Sequence, residues 1–460
     1  MEKSPMPPEP FPESTLTTVS ATAIERLTPI QWLVCAVAGI GFLFDTYEIV
    51  VQSIVVRPAL LDIADFVQGS TQFNRWIGWL LYVPFFAGGV CGLVGGYLTD
   101  RLGRRRVVLW SIALYGVATV GAACATSPLE LLVWRCMTIV AVSTEWIAAA
   151  AWIAELLPDR RRREAVLGFT QAMSGVGVFL VACVYYLSVT YGQHWPAVAG
   201  THAGWRYALI FGAVPVLPVL LARLFTPESA RWLQLQARGT RVRPSFRELF
   251  KPQLRRITIV STALVASIYG LAYATVSQMP RIIPGLAGVR DLSRMEQEQT
   301  ISFVHFMQDF GGLVGRFAVA FLAITWLTRR QVLRTFQLPA LIVMPLLFAT
   351  APYLNLTVLA CGALLGGVLV NAQVNFIGNY LPQMYATPLR GTGESFAISV
   401  GGRIIGAAAA FLTPWLSNFT PGANASQKLA FACAAIAVVA CTLGWLTSHF
   451  LVEPDPAGAS

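Results

Sequence analysis

The chain has 460 residues, of which 55% are hydrophobic and only 12% charged, and it carries a formal net charge of +10. A soluble domain holds about twice that share of charge, which excludes soluble enzymes, disordered regulators and disulfide scaffolds as classes. Twelve helices of about 20 residues fit the length with room for loops, so a single polytopic membrane domain is the expected architecture.

Residues 1–28 are polar and proline-rich (Pro5, Pro7, Pro8, Pro10, Pro12) and lack the apolar core of a secretion signal, so they read as a flexible cytoplasmic tail. Apolar segments long enough to span follow at 30–53, 74–97, 106–124, 129–153, 166–190 and 204–225. A polar, arginine-rich linker occupies 226–256, and a second set of spans follows at 257–280, 299–323, 331–350, 354–378, 391–416 and 426–450. Six spans, a linker and six spans form a two-fold repeat: an N-terminal half at 29–225, a C-terminal half at 257–450 and a short tail at 451–460.

The basic residues test this topology. With the N-terminus inside, 23 of the 33 Lys and Arg fall on the cytoplasmic side, 7 fall outside, and Arg135, Arg316 and Arg403 lie within spans. That bias places both termini in the cytoplasm of a multi-pass cell-membrane protein. The positive surplus is therefore a topology signal, and no nucleic-acid partner is expected. The eight cysteines sit in apolar stretches without metal-ligand spacing, so neither a metal site nor a disulfide framework is indicated.

The loop after the second span reads Gly96-Tyr-Leu-Thr-Asp100-Arg101-Leu-Gly103-Arg104-Arg105-Arg106. Glycine lets so short a loop turn tightly, the arginines hold it on one side, and Asp100 can face a helix N-terminus or the arginines at 160–163. The segment resembles the G-x3-D-R-x-G-R-R-R signature of the major facilitator superfamily at every defined position. Thr226-Pro227-Glu228-Ser229-Ala230-Arg231-Trp232 is similar to the P-E-S-P-R-W motif after the sixth span of that superfamily, with Ala230 in place of a proline. Arg135 and Glu155 bracket the fourth span as in sugar-porter-like members, although Thr138, Ala141 and Ser143 stand where glycines are usual. Pro388-Leu-Arg390-Gly391-Thr392-Gly393 resembles the loop before the eleventh span, with Gln383 where a glutamate is usual.

The resemblance implies an all-α integral membrane protein of the major facilitator fold, with 12 transmembrane helices in two pseudo-symmetric six-helix halves. It also implies a conformational latch built from Gly96, Asp100, Arg101, Gly103, Arg104, Glu155, Glu228 and Arg231. Two shorter matches point to a branch. Asp45-Thr46-Tyr47-Glu48 is similar to the D-G-F-D run of aromatic-acid, sialate and lactate proton symporters, and Glu145-Trp146 resembles the G-G-E-W of metabolite and lactate proton symporters.

Charges inside hydrocarbon are costly and face partners or water-filled space. Asp45 lies about 22 Å above the cytoplasmic start of the first span, and Arg135 about 9 Å below the outer start of the fourth, in a core of about 30 Å. The two reach the same height, and an Asp45–Arg135 pair is expected; the resemblance implies the same pair in proton-coupled relatives. It can couple proton and anion, or be a static ion pair. Glu48 and Gln52 continue the Asp45 face of the first span, and Glu145 is either a second proton carrier or a structural carboxylate.

Tyr269, Tyr273 and Ser277 form one stripe, and Asn371, Asn375 and Asn379 another; each lines a central cavity or serves as interhelical hydrogen-bond glue. His305, Asp309, Gly312 and Arg316 share a face of the eighth span, and Arg403 is central in the eleventh. Either arginine suits a carboxylate, with Arg316–Asp309 pairing as the structural alternative. The candidate proton-coupling set is thus Asp45, Glu48, Arg135 and Glu145; the candidate substrate set is Gln52, Gln171, Tyr269, Tyr273, Asn371, Asn375, Arg316 and Arg403.

No Walker, HExxH or GxSxG motif occurs, so neither an ATP-driven pump nor an enzyme is expected, and no cofactor is implied. The expected function is proton symport of a small organic acid by a monomer embedded in the lipid bilayer. A sugar or polyol carrier is the alternative, and a transporter-like sensor the reading from another class.

Overall fold

A chain in lipid must satisfy its backbone hydrogen bonds internally, and the apolar runs accordingly become helices. The structure, a computed structural model, describes residues 29–64, 66–156, 160–224, 228, 233, 246–323, 327–385 and 389–452. The first five spans are Pro29–Ile63, Thr71–Leu102, Arg104–Ala123, Pro128–Leu156 and Arg160–Tyr191, and the sixth runs through Gly204–Ala213 and Val216–Leu224. The seventh to tenth are Pro252–Ala274, Arg294–Ala323, Arg329–Thr350 and Leu356–Met384. The eleventh is made of Arg390–Phe396, a π-helical stretch Ala397–Gly406 and Ala408–Leu416, and the twelfth is Ala425–Ser448.

Among the described residues, ten helices are long and apolar enough to cross a membrane. The fourth and eighth, which carry buried charges mid-helix, complete the twelve. Several helices overrun their apolar windows, because a helix ends at a cap and not where hydropathy falls. The first continues past residue 53 to Ile63, which draws Arg57 from the expected loop into a buried helical position. Short polar side chains start the others: Ser70 accepts from the Phe73 amide, Asn355 from Val358 and Asn424 from Gln427. Thr328 and Gln331 form a full capping box at the ninth span.

The helices pair alike in both halves. The first packs on the fifth as the seventh does on the eleventh; the second meets the fourth as the eighth meets the tenth; the third meets the sixth as the ninth meets the twelfth. Glycines permit the closest of these approaches, since a Cβ on Gly177 would strike the Leu43 backbone, and one on Gly401 the Thr262 backbone. The halves join where the second span meets the eleventh and the fifth meets the eighth. Apolar side chains such as Trp110, Val117, Phe317, Phe321, Ile342 and Leu346 stay exposed on the outer faces, where lipid is their solvent.

Candidate functional site

Arg135 is fully buried and meets Glu48 on the first span. Its Nη1 donates to Glu48 Oε2 at 2.6 Å, and its Nη2 to the Glu48 backbone carbonyl at 2.6 Å. The expected partner was Asp45. Glu48 takes its place because one further turn of the first span aims that carboxylate at the fourth span. Asp45 turns instead into the bundle of the N-terminal half, where it and Glu145 line a cavity of about 10 Å³ with Tyr115, Phe44 and Val216. That space is about one water in size. The Tyr115 hydroxyl donates to the Gly212 carbonyl beside it, fixing the third span to the sixth.

In the C-terminal half, Arg403 lies on the π-helical stretch and is 8% exposed. Among the described residues its guanidinium has no hydrogen-bond or ion-pair partner, although Tyr269, Tyr273 and Asp45 act on it electrostatically. A π-helical insertion rotates the following residues and is frequent at functional sites. The two tyrosines lie with ring centroids 6.1 Å apart, and Tyr273 packs on Phe85 of the second span at 4.8 Å. Arg316 donates from Nη1 to Ser174 Oγ at 2.9 Å, crossing from one half to the other, and its backbone carbonyl accepts from Asn375 Nδ2 at 3.2 Å.

Arg316 and Asp309 do not form the anticipated structural pair, because His305, one turn before Asp309, takes that carboxylate through Nδ1 at 2.9 Å. Asn371 packs against Gly312, and its amide returns to the Gly367 carbonyl. Gln52 donates to the Leu80 carbonyl at 2.6 Å, within the N-terminal half. The substrate candidates therefore divide. Arg403, Arg316, Tyr269, Tyr273 and Asn375 gather around the junction of the halves, while Asn371 and Gln52 also serve helix packing.

At the end of the bundle bearing Ile63, a polar network closes one half on the other. Arg57 Nη1 contacts Glu298 Oε1 at 2.5 Å, and the Tyr185 hydroxyl donates to Glu298 Oε2 at 2.7 Å. Arg281 Nη2 donates to Asn74 Oδ1 at 3.0 Å, and Gln299 Nε2 to Thr190 Oγ1 at 3.0 Å. Sequence reading missed this layer. Arg57 and Glu298 sit just beyond the apolar windows, at positions that hydropathy assigns to loops; only the full helix length gives them away.

The latch motif is compact. Gly103 alone links the second and third spans, at φ 98° and ψ 147°, a conformation that favours glycine. The amide of Arg105, in the first turn of the third span, donates to both carboxylate oxygens of Glu228 at 3.2 Å, so a carboxylate sits on that helix N-terminus. Arg101 is exposed. Arg231 lies outside the described residues, as do the surroundings of Gly96 and the side chains of Asp100, Arg104, Glu155 and Gln171.

Residues 33–454 match the family model described as Major Facilitator Superfamily. A probable 4-methylmuconolactone transporter of Cupriavidus pinatubonensis is 27% identical over 86% of this chain and 86% of its own length. A gallate transporter of Pseudomonas putida is 25% identical over 81% of this chain and 82% of its own length. A 4-hydroxybenzoate transporter of Pseudomonas putida is 27% identical over 70% of this chain and 74% of its own. In structure, a D-xylose–proton symporter superposes with a TM-score of 0.70 over 93% of this chain and 99% of that one, at 18% identity.

Proposed function

Because this chain belongs to the Major Facilitator Superfamily and is a multi-pass membrane transporter, not an enzyme, we propose that it moves a small organic acid together with a proton by alternating access. The observation that carries the reading is Arg403, a buried guanidinium on a π-helical stretch with no hydrogen-bond partner among the described residues. A planar cation held ready beside Tyr269 and Tyr273 suits a planar carboxylate, and aromatic faces suit an aromatic acid. The names of the gallate and 4-hydroxybenzoate transporters favour the same class.

Coupling follows from competition. Asp45 acts on Arg403 across the junction of the halves. Protonation of Asp45 removes that competing charge and leaves Arg403 to the substrate anion. Glu48 and Arg135 hold the first span in register with the fourth, and Glu145 shares the Asp45 cavity as a second proton acceptor. Arg316, Asn375, Asn371, Gln52 and Gln171 complete the substrate path. The halves at 29–225 and 257–450 rock about that path as a monomer in the cell membrane, with the Gly103 turn and both termini cytoplasmic. The latch of Gly96, Asp100, Arg101, Gly103, Arg104, Glu155, Glu228 and Arg231 sets the balance of the two states.

Purified protein in proteoliposomes tests this with 4-hydroxybenzoate, gallate, lactate, sialic acid and a hexose, each with and without an imposed pH gradient. Uptake of an acid stimulated by an acidic exterior is the expected result. Hexose flux indifferent to the gradient, with no acid carried, overturns it.

A further inference from the structure

The eighth span carries a second titratable pair that the scheme above leaves unused. His305 is 2% exposed and Asp309 3% exposed, with Nδ1 and Oδ2 2.9 Å apart. The other ring nitrogen, Nε2, lies 3.5 Å from Ser53 Oγ on the first span, across the junction between the halves. Ser53 has one hydroxyl proton, and it goes to the Val50 carbonyl at 2.8 Å. Its oxygen can then only accept, so the contact is a hydrogen bond when Nε2 carries a proton. With Asp309 sharing a proton with Nδ1, the arrangement holds one proton more than a neutral imidazole beside a carboxylate.

The surroundings make that proton consequential. Arg316 acts on Asp309 from two turns along the same helix, and Gln308 flanks it. From the fifth span Cys183 faces Asp309, and Ser174 takes Arg316. The first span brings Ser53 and, one turn on, Arg57, which is held by Glu298. The tenth span, Leu356–Met384, contributes no charged residue, and Arg281 beside the seventh is engaged by Gln278 and Asn74. Among these described groups, Arg316 is the charge left to balance the pair.

We infer that His305 and Asp309 form a proton-binding site coupled to carboxylate binding at Arg316. Without substrate, the deprotonated pair carries one negative charge and cancels Arg316. With a carboxylate on Arg316, the pair takes a proton from water, placed on Nε2, and charge again sums to zero; release of the acid returns that proton to water. Low-dielectric burial penalises every other combination of these groups, which ties the protonation of this pair to the presence of an anion on Arg316. The protonated ring also donates to Ser53 and so draws the first span onto the eighth beneath the Arg57–Glu298 pair. This rests on the carboxylate–proton symport proposed above and adds to it a proton site in the C-terminal half.

The test uses the full chain with His194, His202 and His449, all exposed, changed to Gln, so that His305 is the one histidine left of four. Histidine-labelled protein in nanodiscs is followed by NMR from about pH 5 to about pH 9, with and without 4-hydroxybenzoate. The expected result is passage of the ring from doubly to singly protonated, with a larger doubly protonated fraction at intermediate pH when 4-hydroxybenzoate is present, as linkage requires. In proteoliposomes, H305Q and D309N should bring the inside-to-outside ratio reached under an imposed pH gradient down to about one, the value of an uncoupled carrier, while counterflow persists. A ring that keeps one ionisation form throughout overturns the proposal, even if acid symport itself is observed. A ring that titrates in protein that carries none of the acids leaves the proton site standing and overturns the symport reading instead.

Discussion

Arg135 grips Glu48 twice, once at the carboxylate and once at the backbone carbonyl, each at 2.6 Å and out of reach of solvent. A pair so enclosed is weak evidence of net stabilisation but strong evidence of mutual dependence. Glu48→Gln strands a buried guanidinium and should destabilise the protein by about 3–5 kcal/mol, whereas removing both charges together, as in Glu48→Leu with Arg135→Met, should be milder. Thermal unfolding in detergent compares the three proteins. A single variant no less stable than the double would contradict the reading.

Arg57 and Glu298 close the halves at the Ile63 end. E298Q should favour opening there, and a loss of about 1.4 kcal/mol shifts the open-to-closed ratio about tenfold. The contact between Thr190 and Gln299 reports on it. Cysteines placed at these two positions should cross-link readily in the parent background and markedly less in E298Q. Equal cross-linking would remove the pair from any role in closure.

Arg403→Lys retains charge but loses the planar fork, and Arg403→Ala loses both. Carboxylate affinity measured by counterflow should fall by about tenfold or more for Lys and further for Ala, since a bond to a charged group is worth about 1.5–3 kcal/mol. Unchanged affinity in Arg403→Ala would remove Arg403 from carboxylate binding and leave Arg316 as the guanidinium that holds the anion.

Asp45→Asn fixes a neutral side chain at the position proposed to take the proton. Gradient-driven accumulation of 4-hydroxybenzoate should disappear, while exchange of labelled for unlabelled acid persists and loses its pH dependence. Full accumulation by this variant would end the role given to Asp45.

Gly103 holds a backbone conformation that side chains with a Cβ reach only under strain. Gly103→Ala should cost about 1–3 kcal/mol and slow transport, because the one-residue turn must hold the third span's N-terminus against Glu228. Transport and melting temperature together check it; a neutral outcome in both would mean the turn relaxes freely.

The number of spans, the two-fold repeat and the family were legible in the sequence because each depends on local properties. Hydropathy decides which segments lipid accepts, and a loop motif at fixed spacing needs no knowledge of neighbours. The charges inside the spans were equally visible, since a charged residue in an apolar run stands out whatever surrounds it. Gly103 belongs here too, since a glycine turn is short-range chemistry, whereas Glu228 reaches the N-terminus of the third span from 123 positions away and needed the fold to bring it there.

Partnership was decided by tertiary structure. Asp45 and Glu48 are one turn apart, so height along the helix could not choose between them; rotation of the first span against the fourth gave Arg135 to Glu48. Arg316 and Asp309 share a face two turns apart, yet the packed fifth span offers Ser174 to Arg316, and the Asp309 carboxylate is left to His305. Arg57 and Glu298 meet only because two helices from different halves outlast their apolar stretches. Sequence by itself thus determined which charges enter the membrane, through the local cost of burying them, and the packing of twelve helices determined which of those charges compensate one another.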